Sequence, residues 1–414
     1  MVTKALLDGC IKGVGKYFST SIFPCGIFQY MKGINNKPGT PNYDLYRLAL
    51  KSTAKRLYPN YTNIDWSGNK GYDPDNPCTY MSTMGCRTAN GADINATDPK
   101  LVQLKDGRGN AIPVTVIMPT IAMETKLHLK EGEDLIEKFI HDLDVKIHEA
   151  KDMLIERFNW LAAQSADAAK FMYENNIMYG YNPEEGIISA LKHCTLSLGQ
   201  LGLAETLMIL IGKYHNTKEG MDLAIRIEKL FSDRCKEFKQ QYKLNFGVYY
   251  SPAESLCGTA MKKFKAKYGV IPGISDKEWF TNSDHIPVDC PISIFDKIDI
   301  EAELSKYSSA GCITYIELDG AVSKNIDALE EIVNYSMEKD CPYFAVNVPV
   351  DKCNDCGYEA EIPDKCPKCG SNNIKRLRRV TGYLTGDYKS AFNFAKQAES
   401  EHRIKHNNQM SELE

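Results

Sequence analysis

The strongest local constraint on the fold is a set of four cysteines near the carboxyl end of the 414-residue chain. They form two C-x2-C pairs, DKCNDCGYE and DKCPKCGSN, which are separated by nine residues. A glycine after each pair, Gly357 and Gly370, permits a tight turn that directs two thiolates toward one point. Four sulfurs complete a tetrahedral Zn²⁺ shell and leave no position for water. The spacing therefore predicts a structural zinc ion with the ligands Cys353, Cys356, Cys366 and Cys369.

Basic residues follow this cluster in the stretch IKRLRR at 374–379. They would suit a zinc ribbon that binds a nucleic acid or a protein, but a solvated turn or a site for substrate phosphate fits them equally. The chain as a whole has 50 basic and 54 acidic residues, with a formal net charge of −4. This balance does not support general binding to nucleic acids or anionic membranes, so we expect neither partner.

The composition is typical of a globular protein with reduced thiols. Hydrophobic residues make up 43% of the sequence, which is enough to bury a large core. The 14 cysteines occur without a secretion signal, which favours metal ligands and catalytic sulfur over a disulfide framework. No apolar run approaches the ~20 residues that a membrane span needs. We therefore expect a soluble cytoplasmic protein.

Helical and strand-like segments alternate along the chain, which is typical of the α/β class. Apolar residues at helical spacing predict helices at 41–58, 131–161, 187–214 and 219–240. Runs that are rich in β-branched or aromatic residues predict strands at 111–123, 245–250, 311–317 and 342–348. The stretch 59–109 is dense in Gly, Asn, Asp, Pro and Ser, and a loop of this length is usually functional.

Two further segments resemble those of a known enzyme family. RRVTGYLTGDYKSAFNFAKQAESEHRIKHN at 378–407 is similar to the radical motif near the carboxyl end of glycyl radical enzymes, with Gly382 as the radical glycine. STMGCRTANG at 82–91 is similar to the finger loop of the anaerobic, class III, ribonucleotide reductases. The four-cysteine site and the absence of a Cys-Cys dipeptide favour these reductases over the pyruvate formate-lyase type. The resemblance extends over nearly the whole chain.

The resemblance implies part of a ten-stranded α/β barrel at 1–340, with the finger loop near 82–91 inside it. A four-cysteine zinc ribbon at 341–375 and a glycyl radical loop with a carboxyl-terminal helix at 376–414 would follow. In the family's terms, Gly382 stores the radical, Cys86 becomes the thiyl radical that attacks the ribose, and Thr88 occupies a small hydroxyl position. We expect Cys86 and Gly382 to lie in van der Waals contact or a few ångström farther apart.

A substrate site is implied by YYSPAESLCG at 249–258. The pattern from Ser251 to Glu254 is typical of a helix start whose free N–H groups attract phosphate, although a plain helix cap has the same pattern. The resemblance implies substrate contacts at Ser251, Ala253, Glu254 and Ser255, and at Asn110 in the GRGN segment. Many relatives have an asparagine in a Thr-Leu-Asn-Leu-Pro run after this segment, whereas this chain has TVIMP at 115–119. Asn110 or another group would compensate.

The implied reaction is the anaerobic reduction of a ribonucleoside triphosphate, with formate as the expected reductant and a thioredoxin-like dithiol as the alternative. A separate iron–sulfur activase that uses S-adenosylmethionine would install the radical. Relatives carry an ATP-binding cone and the first half of the barrel upstream. We therefore expect either a truncated chain or, as the favoured interpretation, a split gene, with an amino-terminal partner and a dimeric assembly. The alternative function is a non-catalytic structural or zinc-ribbon partner of a complete reductase.

Overall fold

The computed structural model describes residues 1–16, 18–84, 87–379 and 384–406, and its class is α/β. None of the described helices is long and apolar enough to cross a membrane. The helices are α1 Val2–Lys12, α2 Tyr43–Arg56, α3 Met118–Leu127, α4 Leu135–Ala162, α5 Lys170–Glu174, α6 Ile188–Leu191, α7 Leu203–Ile211, α8 Lys218–Tyr242, α9 Leu256–Tyr268, α10 Ile294–Ser305, α11 Ile326–Glu338, α12 Tyr388–Ala391 and α13 Phe394–His402. The strands are β1 Ile27–Tyr30, β2 Asn60–Asn63, β3 Thr83–Met84, β4 Thr88–Ala89, β5 Asn110–Ile117, β6 Thr195–Leu201, β7 Asn245–Tyr250, β8 Thr314–Glu317, β9 Tyr343–Asn347, β10 Val350–Cys353, β11 Glu359–Ala360, β12 Ile374–Arg379 and β13 Leu384–Asp387.

Two sheets join into one wall. Strands β5, β6 and β7 are parallel, and the second sheet has the order β1-β2-β9-β8. Its central pair, β2 and β9, is antiparallel, whereas the two outer pairs are parallel. The segment before β8 connects the sheets, because the Ala310 N–H donates to the Val248 carbonyl and the Tyr250 N–H donates to the Gly311 carbonyl. The described wall is therefore consistent with the predicted part of an α/β barrel.

Helices α4 and α8 pack against the parallel strands. Helix α4 begins where Asp134 accepts hydrogen bonds from two N–H groups of the first turn. Its apolar residues recur every three or four positions, and this stripe is buried against the sheet: Phe139, Leu143, Ile147, Leu154 and Phe158. Each such side chain stabilises the fold by about 1.5–3 kcal/mol relative to an exposed position. Burial on this scale explains why the predicted helices 131–161 and 219–240 are confirmed as α4 and α8.

Two predicted elements differ from the structure. The range 187–214 contains α6, β6 and α7 rather than one helix. All residues of β6 are buried, but its sequence, TLSLGQL, alternates polar and apolar residues over most of its length, which is the period of a strand. The short segment lies between the apolar residues of α6 and α7, and the prediction included it in one long helix. The strand predicted at 111–123 ends at Ile117, where α3 follows with Pro119 in its first turn. Proline is accepted there because the N–H that it lacks has no partner in a first turn.

The last strands form a separate antiparallel sheet with the order β11-β10-β12-β13. This sheet holds the four cysteines and the segment before Gly382. Strand β9 lies in the wall, although it falls within the range 341–375 that was predicted for the ribbon. The domain boundary at residue 340 stays a prediction, and the first strand of the ribbon sheet begins at Val350.

Candidate active site

The four predicted zinc ligands lie at one point of the ribbon. Their Sγ atoms are all within 4.8 Å of one another. The Sγ atoms of Cys353 and Cys369 are 3.5 Å apart, and so are those of Cys356 and Cys366. A tetrahedral zinc ion with bonds of about 2.3 Å holds its sulfurs about 3.8 Å apart, whereas a disulfide needs about 2.05 Å. The donor set therefore fits a structural zinc ion and does not fit a disulfide.

Each cysteine pair closes a tight turn. The Gly357 N–H donates to the Cys353 carbonyl, and the Gly370 N–H donates to the Cys366 carbonyl. Both glycines have a φ of 73°, which would strain any residue with a side chain. A hydrogen bond from the Cys356 N–H lowers the pKa of the Cys353 thiol to about 7. Hydrogen bonds from backbone N–H groups also act on Cys356 and Cys369, but burial and the neighbouring sulfurs raise the pKa of both thiols. The turn therefore favours the thiolate form at Cys353 alone among these three ligands.

The predicted finger is built on the antiparallel pair of β3 and β4. Gly85 and Cys86, which lie between these strands in the sequence, are outside the described residues. The stem is attached to the wall because the Ala89 N–H donates to the Ala310 carbonyl, in the segment that joins the two sheets. The described residues of the finger stem are therefore held against the wall.

Thr88 directs the finger stem toward the carboxyl end of β7. Its hydroxyl donates to the Tyr249 phenol oxygen at 3.2 Å. Tyr249 lies two residues before Ser251, where the predicted substrate segment begins. The structure therefore places Thr88 and this segment at the same end of the barrel strands.

Arg87 immediately follows the predicted thiyl cysteine and is completely buried. Its guanidinium donates to the Tyr250 carbonyl at 3.3 Å and to Ser283 Oγ at 3.4 Å. It also donates to the Tyr315 phenol oxygen at 3.0 Å and lies 5.5 Å from the centre of that ring. A planar guanidinium with several fixed partners restricts the backbone that carries it. Arg87 thereby fixes the finger stem to β7, to the loop near 283 and to β8.

A buried chain of charged groups continues from Arg87. His285 Nε2 lies 3.3 Å from the guanidinium, and His285 Nδ1 lies 3.2 Å from the Glu301 carboxylate. Lys297 pairs with the same carboxylate. Burial would raise the pKa of Glu301, but Lys297 and His285 lower it to about 2, so the carboxylate stays charged.

The predicted radical loop is flanked by β12 and β13, in which Arg379 lies opposite Leu384. Residues 380–383, which include Gly382, are outside the described residues. Both flanks contact Tyr58: the Arg379 guanidinium lies 5.1 Å from the centre of its ring, and the Leu384 N–H donates to its oxygen at 3.0 Å. The two ends of the radical loop are therefore anchored to one buried side chain of the barrel.

The flanks of the finger and of the radical loop approach the same interior space. A cavity of about 50 Å³ is lined by two partners of Arg87 and two partners of Arg379. These partners are His285, Tyr315, Asn347 and Arg403. The arrangement agrees with the resemblance, which places both loops inside one barrel. The distance between Cys86 and Gly382 stays a prediction, because both residues lie outside the described ranges.

Tyr343 on β9 lies near both flanks. It is buried, and its phenol oxygen accepts a hydrogen bond of 2.6 Å from the Asn60 side chain. Burial raises the pKa of this phenol, whereas Asn60, Arg379 and Thr83 lower it. Thr83 lies on the finger strand β3 and Arg379 ends β12, so this phenol lies near one residue that flanks each loop.

The helix after β7 begins later than the sequence pattern predicts. Helix α9 begins at Leu256 with Ser255 as its N-cap. Ala253 has a φ of 47°, a left-handed conformation that a right-handed helix excludes. Ser251 is buried and accepts a hydrogen bond of 3.2 Å from the Thr115 hydroxyl rather than capping a helix. The segment 251–255 does lie at the carboxyl end of β7, and its role in substrate binding stays a prediction.

Asn110 is separated from the other predicted substrate residues. It is the first residue of β5, and its side-chain amide donates to Ser197 Oγ at 2.5 Å. Since β5, β6 and β7 are parallel, Asn110 lies at the end of the sheet opposite Ser251. Thr115 in the TVIMP run is the residue of β5 that reaches Ser251. Thr115 is therefore the polar residue of the TVIMP run that lies beside the predicted substrate segment.

Sequence reasoning missed Arg87 and the residues that surround it. Arg87 and Tyr315 are 228 positions apart in the sequence, and the other partners come from β7 and the loop near 283. The available signal was the polar run TNSDH at 281–285, in which Ser283, Asp284 and His285 are all buried. A cluster of polar residues that the fold buries is unusual unless these residues hydrogen-bond to one another or to a ligand.

Comparison with known proteins extends over almost the whole chain. Residues 1–406 match a family model described as anaerobic ribonucleoside-triphosphate reductase. The chain is 32% identical to the anaerobic ribonucleoside-triphosphate reductases of Haemophilus influenzae and Escherichia coli, over 98% of this chain and 56% of each relative. It is 31% identical to that of Enterobacteria phage T4, over 98% of this chain and 66% of the relative. The chain thus spans little more than half the length of the bacterial relatives.

Solved structures share the fold. An anaerobic ribonucleotide reductase matches with a TM-score of 0.69 and 21% identity, over 94% of this chain and 55% of that chain. The anaerobic ribonucleotide reductase from Thermotoga maritima with glycerol in the active site matches with a TM-score of 0.66 and 20% identity, over 93% and 57%. The glycerol-bound B12-independent glycerol dehydratase from Clostridium butyricum matches with a TM-score of 0.59 and 11% identity, over 93% and 52%. At these identities the likeness concerns the fold alone.

Proposed function

Since the chain belongs to the anaerobic ribonucleoside-triphosphate reductase family, we propose that it is the radical-bearing part of an enzyme that reduces ribonucleoside triphosphates to deoxyribonucleoside triphosphates. The observation that carries this proposal is the convergence of the finger stem and the radical-loop flanks on one buried cavity. A zinc ribbon that only bound a partner would need neither a finger nor an anchored glycine loop.

In this proposal Gly382 stores the radical on its Cα atom. Cys86 gives its S–H hydrogen to that carbon, which restores the glycine C–H bond and leaves a thiyl radical. The thiyl radical takes the hydrogen from C3′ of the ribose, and the S–H bond forms again. The 2′-hydroxyl leaves as water, and formate with one proton supplies the reducing equivalents and departs as carbon dioxide. Cys86 then returns a hydrogen atom to C3′ and becomes a thiyl radical again. Gly382 gives a hydrogen atom to this thiyl radical, which restores the glycyl radical.

The described residues would hold the reacting groups in line. Arg87 fixes the chain next to Cys86, and Arg379 and Tyr58 fix the chain next to Gly382. Hydrogen transfer needs near contact, and a misplacement of about 1 Å can cost about 100-fold in rate. Burial of these anchors also excludes water from reactive intermediates. A zinc ion bound by the four cysteines would supply structural rigidity to β10 and β12, which lead to the radical loop.

Substrate binding is proposed at the carboxyl end of β7. The segment between this strand and α9 contains Ser251, Ala253, Glu254 and Ser255. The first N–H groups of α9 can donate hydrogen bonds to a phosphate. Thr115 and Thr88 present hydroxyls to the same end of the strand through Ser251 and Tyr249. These hydroxyls are suited to hydrogen-bond the ribose.

The remaining partners are also proposals. Strands β1 and β5 end the described wall, and the relatives are longer than this chain. We propose that further barrel strands complete the wall, either within a longer polypeptide or from an amino-terminal partner subunit. The assembled enzyme would be a cytoplasmic dimer, and an iron–sulfur activase with S-adenosylmethionine would install the radical.

Electron paramagnetic resonance under anaerobic conditions tests the radical assignment. After treatment with the activase and S-adenosylmethionine, the chain with its completed barrel should show a glycine-type doublet. Gly382→Ala should abolish the doublet. Gly386→Ala is the matched control and should retain it, because a Cβ at position 386 would make only an ordinary contact of 3.7 Å with Ala391. Absence of the doublet from the unsubstituted protein would favour the non-catalytic, structural function.

A pair of cysteine variants separates radical storage from radical transfer. Cys86→Ser should retain the doublet and lose deoxynucleotide formation, because an O–H bond is too strong to exchange hydrogen with the glycine radical. Cys10→Ser, on α1, should leave both unchanged. Full activity in Cys86→Ser would contradict the assignment.

The reductant is tested with isotopically labelled formate. We expect labelled carbon dioxide in a one-to-one ratio with the deoxynucleotide. Product formation with a thioredoxin-like dithiol and without formate would instead assign the chain to the dithiol-dependent subgroup.

A further inference from the structure

A second and larger cavity lies at the opposite end of the parallel strands. Its volume is about 350 Å³, and it is bordered by Thr195 and Asn245, the first residues of β6 and β7. Ala89 and Gly91 of the finger stem and its continuation also line it. The candidate active site lies at the carboxyl ends of these strands, so this cavity is a separate site beneath the finger.

The lining of this cavity is basic. Four lysines contribute to it, and no aspartate or glutamate of the described chain does: Lys105, Lys236, Lys239 and Lys306. Lys236 and Lys306 lie near the surface and have acidic neighbours in their own helices. Lys105 and Lys239 lie deeper, and neither forms an ion pair within the described residues.

Lys105 differs from the other buried lysines. It is 6% exposed, and its Nζ donates to the neutral Gln103 side chain at 3.1 Å. Each of the other lysines that are buried among the described residues pairs with a carboxylate, in the pairs Lys151–Asp152, Lys297–Glu301 and Lys396–Glu399. A buried ammonium group without a counter-charge is costly, and proteins normally pair it.

Arg108 adds a third positive charge to those of Lys105 and Lys239. The carboxylate of Asp93 neutralises little of this positive charge. Asp93 lies 4.0 Å from Arg108 and already accepts hydrogen bonds from His193 at 2.7 Å and Asn245 at 2.8 Å. Burial and the charges of Arg108 and Lys239 lower the pKa of Lys105 to about 7. The positive charges therefore outnumber the negative charge at this end of the barrel.

We propose that this cavity binds a small anionic ligand through a phosphate group, which is held by Lys105 and Lys239. Lysine ammonium groups are common phosphate ligands, and the cavity volume lies in the range of small-molecule sites, about 300–1,000 Å³. The remaining volume would admit an organic group attached to the phosphate. This inference does not depend on the proposed reductase activity.

The ligand would also contact the base of the finger. The Asn90 side chain, directly after β4, donates to the Lys105 carbonyl at 3.2 Å and to the Arg108 carbonyl at 3.1 Å. Asn90 itself lines the cavity. An occupied cavity would therefore stabilise the stem that positions Thr88 and Arg87.

Binding is tested by calorimetric titration and thermal unfolding with two probes, inorganic phosphate and phenyl phosphate, against sodium chloride of equal ionic strength. The unsubstituted chain should bind a probe and unfold at a higher temperature in its presence. Tighter binding of phenyl phosphate would identify a phosphate ester as the ligand, and equal binding would identify free phosphate. No binding and no thermal shift with either probe would overturn the proposal.

Matched lysine variants locate the site. Lys105→Met should weaken phosphate binding about tenfold or more, because it removes a charged hydrogen bond. Without phosphate the same variant should unfold at a higher temperature than the unsubstituted chain, since an unpaired buried charge is gone; this shift also shows that the variant folds. Lys262→Met, at an exposed position on α9, should change neither property. Equal phosphate affinity in Lys105→Met and the unsubstituted chain would contradict the proposed site.

Discussion

The zinc ribbon and the barrel interior are organised in contrasting ways. The ribbon takes its four sulfurs from residues 353–369, and the apolar side chains around them form a small cluster that includes Ile362 and Ile374. The barrel interior takes the partners of Arg87 from β7, β8 and the loop near 283. A local site can be recognised from its spacing, whereas a site built by distant segments becomes visible only when the chain has folded.

The two regions also differ in what stabilises them. The ribbon has few buried apolar side chains, so a metal ion bound by its four cysteines would supply much of its stability. The barrel has an extensive apolar core that packs α4 and α8 against β5, β6 and β7. Its active-site end contains a buried ion pair, the contact of Lys297 with Glu301. Loss of the metal should therefore affect one region and loss of a charge the other.

Removal of zinc, by a chelator or by Cys366→Ser, should have the largest effect. A structural zinc site of this type contributes about 10–16 kcal/mol of apparent binding free energy at pH 7. We expect β10 to β13 to lose protection from hydrogen exchange, while β6 and β7 keep theirs. The glycine-type doublet should also be lost, since β12 leads to Gly382.

Cys290→Ser is the control for zinc removal, because Cys290 lies outside the ribbon. Its hydrogen exchange should match that of the unsubstituted chain. If β6 and β7 exchanged as fast as β10 to β13 after chelation, the two regions would be one cooperative unit, and the comparison would fail.

Lys297→Met should destabilise the barrel by about 3 kcal/mol, because it leaves the buried Glu301 carboxylate without its main counter-charge. Urea denaturation followed by circular dichroism measures this change. Lys146→Met is the matched control, since Lys146 and Glu149 form an exposed pair on α4, for which about 0–1 kcal/mol is expected. Equal losses in the two variants would show that the buried pair contributes no more than a surface pair.

An effect of at most similar size concerns pH. His215 is fully buried, its Nε2 lies 2.8 Å from the Asp284 carbonyl, and burial lowers its pKa to about 4. The folded state therefore binds this proton only below about pH 4, whereas the unfolded chain binds it below about pH 6.5. The contribution of His215 is complete above pH 6.5 and falls, by up to about 3 kcal/mol, as the pH drops to 4.

Free energies of unfolding between pH 4 and pH 7 test this dependence. His215→Gln should show a shallower decline over this window, and His128→Gln should not, because His128 is exposed. Since residues 350–379 contain no histidine, the difference between His215→Gln and the unsubstituted chain should arise in the barrel. An identical slope in His215→Gln would contradict the assignment.

Much of the architecture could be predicted from the pattern of residues. The helices α2, α4 and α8 and the strands β7, β8 and β9 lie where periodicity and β-branched runs predict them. Strand β6 was missed although TLSLGQL alternates polar and apolar residues over most of its length, because this short segment lies between the two apolar helical segments α6 and α7. The predicted start of α9 was wrong because Ala253 has a left-handed backbone conformation, which helix propensity does not reveal.

The sequence by itself determined the four-cysteine cluster, the long helices and the family. Each depends on spacing along the chain or on a motif, and a turn or one helical face is formed by residues that are near in sequence. Only the tertiary structure decided that Arg87 meets His285, that Thr115 rather than Asn110 reaches Ser251, and that Lys105 has no carboxylate partner within the described chain. These outcomes depend on which distant segments the parallel strands bring together, and on charges whose pairing is settled by burial in three dimensions.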